Sequence, residues 1–483
     1  MTEQEAIDFC KNNPESAAKI IMMVERLEAR IEAQDIEIKE LKARLNMNSR
    51  NSSKPPSTDN KLNKDRTKKN SDVEKKKRGG QVGHQGSNLK LSKTPDIINI
   101  LSSSTCSCCN SSLDHVESSK VEKRQVYDFP EIKIEITEHQ LHTKQCENCQ
   151  TINKPEFPDN VNAPTQYGNR IKAFVSYSST YQMLPYGRIA ELIEDLVSHK
   201  ISDGTIYNFL AQEYNKLEEF ENILKQKLLK EDVLHSDETG INIKGKLHWI
   251  HLTSSSILTY YMLHQKRGKK AMDDMEILPS YDGILVHDHW QPYNHYECTH
   301  SYCNAHILRE LNGIIEKEDN EWSKDMHTLL TNMNIAVHKA KDEGKNQLLK
   351  EEIESFTKKY ENICKIAKEC YPAPEKPIKK ARGRPKQEKG KNLLDRLSKY
   401  KEETLRFVND FRVPFTNNQA ERDLRMIKVK EKISGTFASF NGGEIFCRIK
   451  SYISTLKKNN FPILKGLRDA LDGNFHVPVE STC

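Results

Sequence analysis

Val233-Leu234-His235-Ser236-Asp237-Glu238-Thr239 decides the fold: here the chain turns from helical to strand-like periodicity, and here stands the first of three spaced carboxylates. From residue 232, VLHSDE, INIKGKLHWIHLTSS and ILTYYMLHQ read as three strands, with a bend at Lys244-Gly245. Lys269 to Leu278 reads as a helix, GILVHD as a fully buried strand, THSYC as another strand and NAHILRELNGIIE as a helix. Two later fragments belong with the first. One is Gly283-Ile284-Leu285-Val286-His287-Asp288-His289-Trp290; the other is Thr416-Asn417-Asn418-Gln419-Ala420-Glu421-Arg422, where Asn417 is the candidate cap of a helix carrying Glu421.

This β-β-β-α-β-α-β-α order is that of a ribonuclease-H-like α/β domain. The ends of its first and fourth strands adjoin, so Asp237 and Asp288 are expected to face each other. Three carboxylates brought together this way suit two divalent metal ions and phosphodiester chemistry. Glu238 and Asp423 are competing acids. Alternation turns Glu238 away from Asp237, and Asp423 lies on a different helical face from Glu421. The same alternation turns His287 and His289 away from Asp288. Between Asp288 and Glu421 lie 132 residues, most of them helical and charged, which read as an insertion over 320–410.

At 483 residues several domains are expected, making a multidomain α+β protein. No apolar run approaches membrane-spanning length, and MTEQEAIDFCKNN has neither a basic start nor an apolar signal core, so a cytoplasmic, nucleoid-associated protein is expected. The net charge of +6 is unevenly placed. Residues 61–80 hold nine Lys/Arg against three Asp/Glu, and residues 375–391 hold eight against two. These Lys/Pro/Gly-rich pieces read either as solvated linkers or as phosphate-neutralising arms.

The first 46 residues read as a coiled-coil helix. Val24, Ile31, Ile38 and Leu45 fall at a positions, and Ile20, Leu27, Gln34 and Leu41 at d, the pattern of a parallel two-stranded coil. Residues 47–100 read as a basic flexible linker. Cys106-x2-Cys109 and Cys146-x2-Cys149, with strand-like alternation between them, read as a zinc ribbon over 101–158. Residues 159–227 are helical, and Ser202 can cap a second helix as in a helix-turn-helix. Thr205, Tyr207 and Asn208 then either meet DNA or simply lie on a packed helix. The catalytic domain spans 228–319 and resumes over 411–475, with a tail at 476–483. In the insertion, Arg382-Gly383-Arg384-Pro385 reads as a minor-groove hook or a non-specific phosphate clamp. Arg422, Arg425 and Lys428 follow Glu421 and suit a bound DNA backbone.

HSDETG, VHDHWQPY, CNAHILREL and NNQAERDLR together resemble the catalytic blocks of the insertion sequence sixty-six family of bacterial DDE transposases. NSSKPPS, GGQVGHQG, the two CxxC pairs, SDGTIYN and ARGRPKQ match the same organisation, so the resemblance covers nearly the whole chain. It implies a triad of Asp237, Asp288 and Glu421 holding two Mg²⁺ (or Mn²⁺) ions, beside a structural Zn²⁺ on the four cysteines. It further implies binding of terminal repeats, hydrolysis to a 3′-OH, joining of that end to target DNA, and accessory proteins of the same element. Cys303-x2-His306 matches the C-x2-H block of related enzymes, either as a support for the site or, with Cys298 and His300, as a second metal site. Two other readings remain: a DNA-binding repressor relic without catalysis, and a metal-dependent nuclease without strand transfer.

Overall fold

A computed structural model describes residues 11–45, 89–318, 320–371 and 387–478. Most of the 47–100 linker, Arg382, Arg384 and the end of the tail lie outside the described residues.

Helix α1 (Pro14–Leu45) is a single 32-residue helix. Its heptad positions Val24, Leu27, Ile31, Ile38 and Leu41 are all exposed. The cysteine-bearing segment follows. Its one ladder is short: β1 (Lys144–Gln145) pairs antiparallel with β2 (Ile152–Asn153). The alternating stretch 121–145, read as two strands, forms a strand only at its last two residues, Lys144–Gln145 of β1. Val126, Phe129 and Ile136 stay almost fully exposed, so the alternation has no apolar surface to face. Gln125 and Tyr127 instead hydrogen-bond the backbone of Ser92 and Lys90.

Four helices come next: α2 (Asn169–Ser176), α3 (Tyr186–Val197), α4 (Asp203–Lys216) and α5 (Glu218–Leu228). Ser202 caps α4, its Oγ accepting the Thr205 N–H at 3.2 Å. The sheet then begins with β3 (Val233–Ile243), β4 (Lys246–Ser254) and β5 (Thr259–His264), followed by the short helix α6 (Lys269–Asp274), β6 (Ile284–His287) and β7 (Thr299–Tyr302). Its order is β5-β4-β3-β6-β7, antiparallel through the first three and parallel through β3, β6 and β7.

Two boundaries differ from the sequence reading. β3 does not stop at Glu238 but runs on to Ile243, because its hairpin with β4 turns only at Lys244-Gly245. Both turn residues have positive φ (49° and 77°), the primed turn that matches strand twist. The helix expected over 269–278 ends at Asp274, and a separate 3-10 turn follows at Leu278–Ser280.

After α7 (Asn304–Glu318), the helices α8 (Glu321–Asp342), α9 (Lys350–Glu369), α10 (Lys389–Lys399) and α11 (Lys401–Asn409) pack with α7 and with Ile284 and Val286 of β6 around their own core. The chain returns to the sheet with α12 (Asn418–Ser434), α13 (Phe440–Lys458) and α14 (Ile463–Leu471). Ile241 and Ile250 pack on Ala420, Leu424 and Ile427 of α12. On the other face, one apolar core joins α2–α5 to Leu234, Leu285, α13 and α14. No described helix is long and apolar enough to cross a membrane.

Candidate active site

The parallel pairing of β3 with β6 sets Val233 beside Ile284, Leu234 beside Leu285 and His235 beside Val286. The parallel ladder ends there; Asp237 lies two residues further along β3, and Asp288 directly follows β6. Asp288 leaves the strand end held by its own turn, its Oδ1 accepting the Trp290 N–H at 2.9 Å. Burial, then the neighbouring carboxylates Glu238, Asp288 and Glu421, push the Asp237 carboxyl well above its ordinary range, against one hydrogen bond from the Glu238 N–H. The sequence-selected acids therefore share one field.

Glu421 enters from the first turn of α12. Two residues of α7 approach it: Arg309 Nη2 at 3.4 Å from Oε2, and His306 Nδ1 at 3.8 Å from Oε1. Both Glu421 Oε1 and His306 Nδ1 are buried without a hydrogen bond. Burial, and then the Arg309 charge, lower the His306 pKa, so its imidazole stays neutral. Burial pushes the Cys303 thiol up to about 11.

Among the described residues, Cys303, His306 and Glu421 form the group whose ligand atoms all lie within 4.8 Å of one another. Asp237 and Asp288 do not join it at that spacing. Cys303 is fully buried, and its sulfur accepts the Asn417 N–H at 3.1 Å.

Asn417 does not cap α12. Its side chain makes no cap hydrogen bond. Nδ2 instead donates to the Ser236 carbonyl at 2.9 Å, and Oδ1 sits 2.8 Å from His235 Nδ1. A polar residue before a helix reads as a cap unless its distant partner is known. Arg267 also escaped the sequence reading. It lies between the Trp249 and Trp290 rings, 4.8 and 4.2 Å from their centroids, and pairs with Glu238 at 2.7 Å. Tyr293 donates to the other Glu238 oxygen at 2.7 Å. Glu238 is thus fully engaged. Asp423 is likewise paired, with Lys458 at 3.1 Å. His287 is buried and bonded to His300 at 2.9 Å.

The three basic residues after Glu421 part company. Arg422 and Arg425 are exposed and line a groove beside Glu421. Lys428 is drawn back to the Gly240 carbonyl and to Glu431.

The four cysteines form two knuckles of the same design. In each, the first cysteine's N–H is bonded 2.9 Å from a carbonyl five residues on (Ser111, Thr151) and its carbonyl accepts from a residue of positive φ (Asn110, Gln150). Hydrogen bonds from Ser111 and Thr151 lower Cys109 and Cys149 to about 7, which favours the thiolate that binds metal. Sulfur donors suit zinc, but among the described residues no three of these cysteines bring their sulfurs within 4.8 Å of one another.

The family model described as Transposase IS66 family matches residues 164–445, more than half of the chain and all three acids. The zinc-finger binding domain of transposase IS66 matches residues 103–150, which contain all four knuckle cysteines. A family of unknown function matches residues 9–90. No curated protein matches the chain.

Proposed function

The chain belongs to the IS66 family of transposases, with that family's zinc finger, and we propose that it is a catalytically competent DDE transposase working through Asp237, Asp288 and Glu421. The observation that supports the proposal is that Asp288, directly after β6, and Glu421, in the first turn of α12, both lie near enough to the buried Asp237 carboxyl to raise its pKa. The strand order β5-β4-β3-β6-β7 supports a ribonuclease-H-like catalytic domain split over 228–319 and 411–475 by the helical insertion 320–410. The remaining divisions are a coiled-coil helix, a basic linker, a zinc ribbon and a helical layer at 159–227.

The donor set fits Mg²⁺ or Mn²⁺: oxygen ligands only, mutually repelling, with Glu421 Oε1 buried and unbonded. Two such ions, when bound, supply Lewis-acid stabilisation of charge on the attacking and leaving oxygens. The protein's own part is positional. Asp237, Asp288 and Glu421 would hold the ions against the scissile phosphate, and Arg309 pairs with the Glu421 carboxylate. Water attacks phosphorus in line, the P–O3′ bond breaks, and the 3′ oxygen leaves as a hydroxyl. That hydroxyl next attacks a target phosphodiester in the same site, releasing a target 3′-OH. The partners are then the element's terminal repeats, target DNA, a second copy through α1, and accessory proteins of the element.

Asp237→Asn, Asp288→Asn and Glu421→Gln are each expected to abolish metal-dependent cleavage, a loss of at least ~10³-fold, while end binding without Mg²⁺ persists. Cleavage surviving in a purified variant would strike that residue from the triad. Pre-cut ends offered with target DNA separate a transposase from a nuclease, and binding by the wild type without cleavage in Mg²⁺ identifies a repressor relic.

A further inference from the structure

Beside Glu421 lies a groove of about 1290 Å³, walled on one side by the start of α12 and on the other by the end of α5 and the residues that follow it. Arg422 and Arg425 line the first wall; Lys227 and Lys230, nearly two hundred residues earlier, line the second. A smaller recess of about 520 Å³ shares Lys227 and Lys230, so the basic surface continues past α5.

The other cations nearby are already engaged. Arg412 pairs with Asp410 at 2.8 Å and Asp232 at 3.1 Å, and Lys225 pairs with Glu276 at 2.8 Å. Lys227, Lys230, Arg422 and Arg425 form no ion pair among the described residues. Glu231, Asp232 and Glu421 also line the groove, but four cations without ion pairs on one surface repel, and a polyanion lying among them reverses the sign of that interaction. The floor reaches Glu421, whose partners His306 and Arg309 belong to α7, which does not line the groove. Leu224 and Leu228 of α5 share one core with Leu258 and Ile449, which ties the α5 wall to the sheet and α13.

We infer that this groove carries a DNA backbone to and from the carboxylates, and that Lys227 at the end of α5 and Lys230 just after it are phosphate contacts within it. The inference rests on the transposase reading and adds to it a route: the helical layer meets DNA through the end of α5. The Thr205–Asn208 face of α4 is not part of that route; there Tyr207 accepts a hydrogen bond from Asn441 at 2.7 Å.

The test measures the affinity of the full-length protein for two labelled duplexes, one with the sequence flanking the coding region and one random, as a function of KCl in buffer without Mg²⁺ or chelator, which leaves the zinc in place. Lys227→Ala/Lys230→Ala is expected to reduce the slope of log K against log salt by about 2 on both duplexes. Near 0.1 M salt it weakens binding roughly ten- to fifty-fold, with an unchanged thermal melt. The control is Lys358→Ala/Lys359→Ala, an equal charge loss on the exposed side of α9. An unchanged slope in the α5 variant overturns the inference, as does an equal fall in the control. A wild-type protein that binds neither duplex removes the transposase reading itself, an outcome distinct from wild-type binding with an indifferent α5 variant.

Discussion

Asn417 joins three parts of the site through one residue: its amide reaches Ser236 and His235 on β3, and its N–H reaches the Cys303 sulfur at the start of α7. Glu421 lies one helical turn later, and its N–H bonds the Asn417 carbonyl. The third acid is therefore placed by a buried polar bridge. Burial lowers the His235 pKa to about 4, so a neutral ring faces the amide. Asn417→Ala leaves a buried ring nitrogen and a carbonyl without partners, at a cost of about 1–3 kcal/mol. The urea midpoint is expected to fall, and cleavage to fall by more than the folded fraction explains, with DNA binding without Mg²⁺ retained. Cleavage that tracks the folded fraction alone would make Asn417 purely structural. At this scale the sequence was legible where chemistry is local. An acid in a strand-like run stands out, and Asp237 and Asp288 do lie in one field, whereas an asparagine whose partner lies 181 residues away looks like a cap. Arg267 was hidden for the same reason, since its two tryptophans come from different elements.

Between elements, the helical layer carries one unusual group. Glu213 of α4 is fully buried, its Oε2 accepting from Ser176 of α2 at 2.8 Å while Oε1 has no partner. Burial pushes its pKa up to about 8, from an ordinary 4.5. The folded state thus keeps a proton that the unfolded chain has released, so stability falls as pH rises from about 4.5 to about 8 and is level outside that window. Glu213→Gln removes the titration. It is expected to raise stability by on the order of a few kcal/mol at pH 8 and by little at pH 4.5, read as melting temperature against pH. An unaltered pH profile would mean that Glu213 is ionised in the fold. Element boundaries were the least legible feature. Periodicity identified β3 but not its length, which the Lys244-Gly245 hairpin sets, and the alternation of 121–145 signalled two strands of which only Lys144–Gln145 forms, the rest having no face to pack against.

For the whole molecule, the zinc finger was readable because its cysteines have their own spacing, whereas the apolar core joining α2–α5 to the sheet and α13 arises only on folding. Among the described residues, one module buries none of its side chains. α1, at 32 residues about 48 Å long, exposes Val24, Leu27, Ile31, Ile38 and Leu41 along a single stripe. An isolated helix is marginal in water, and a narrow a/d seam is satisfied by another seam. A second copy supplies one, and two copies would also present two catalytic sites to the two ends of an element. Ile31→Glu/Ile38→Glu places like charges on the seam and is expected to convert a dimer to a monomer in sedimentation experiments at micromolar concentration. Cleavage at a single end should survive in that variant, because Asp237, Asp288 and Glu421 lie far along the chain from α1, while concerted joining of two ends should be lost. A wild type that sediments as a monomer, or a variant that remains dimeric, would show that the α1 stripe does not make the assembly.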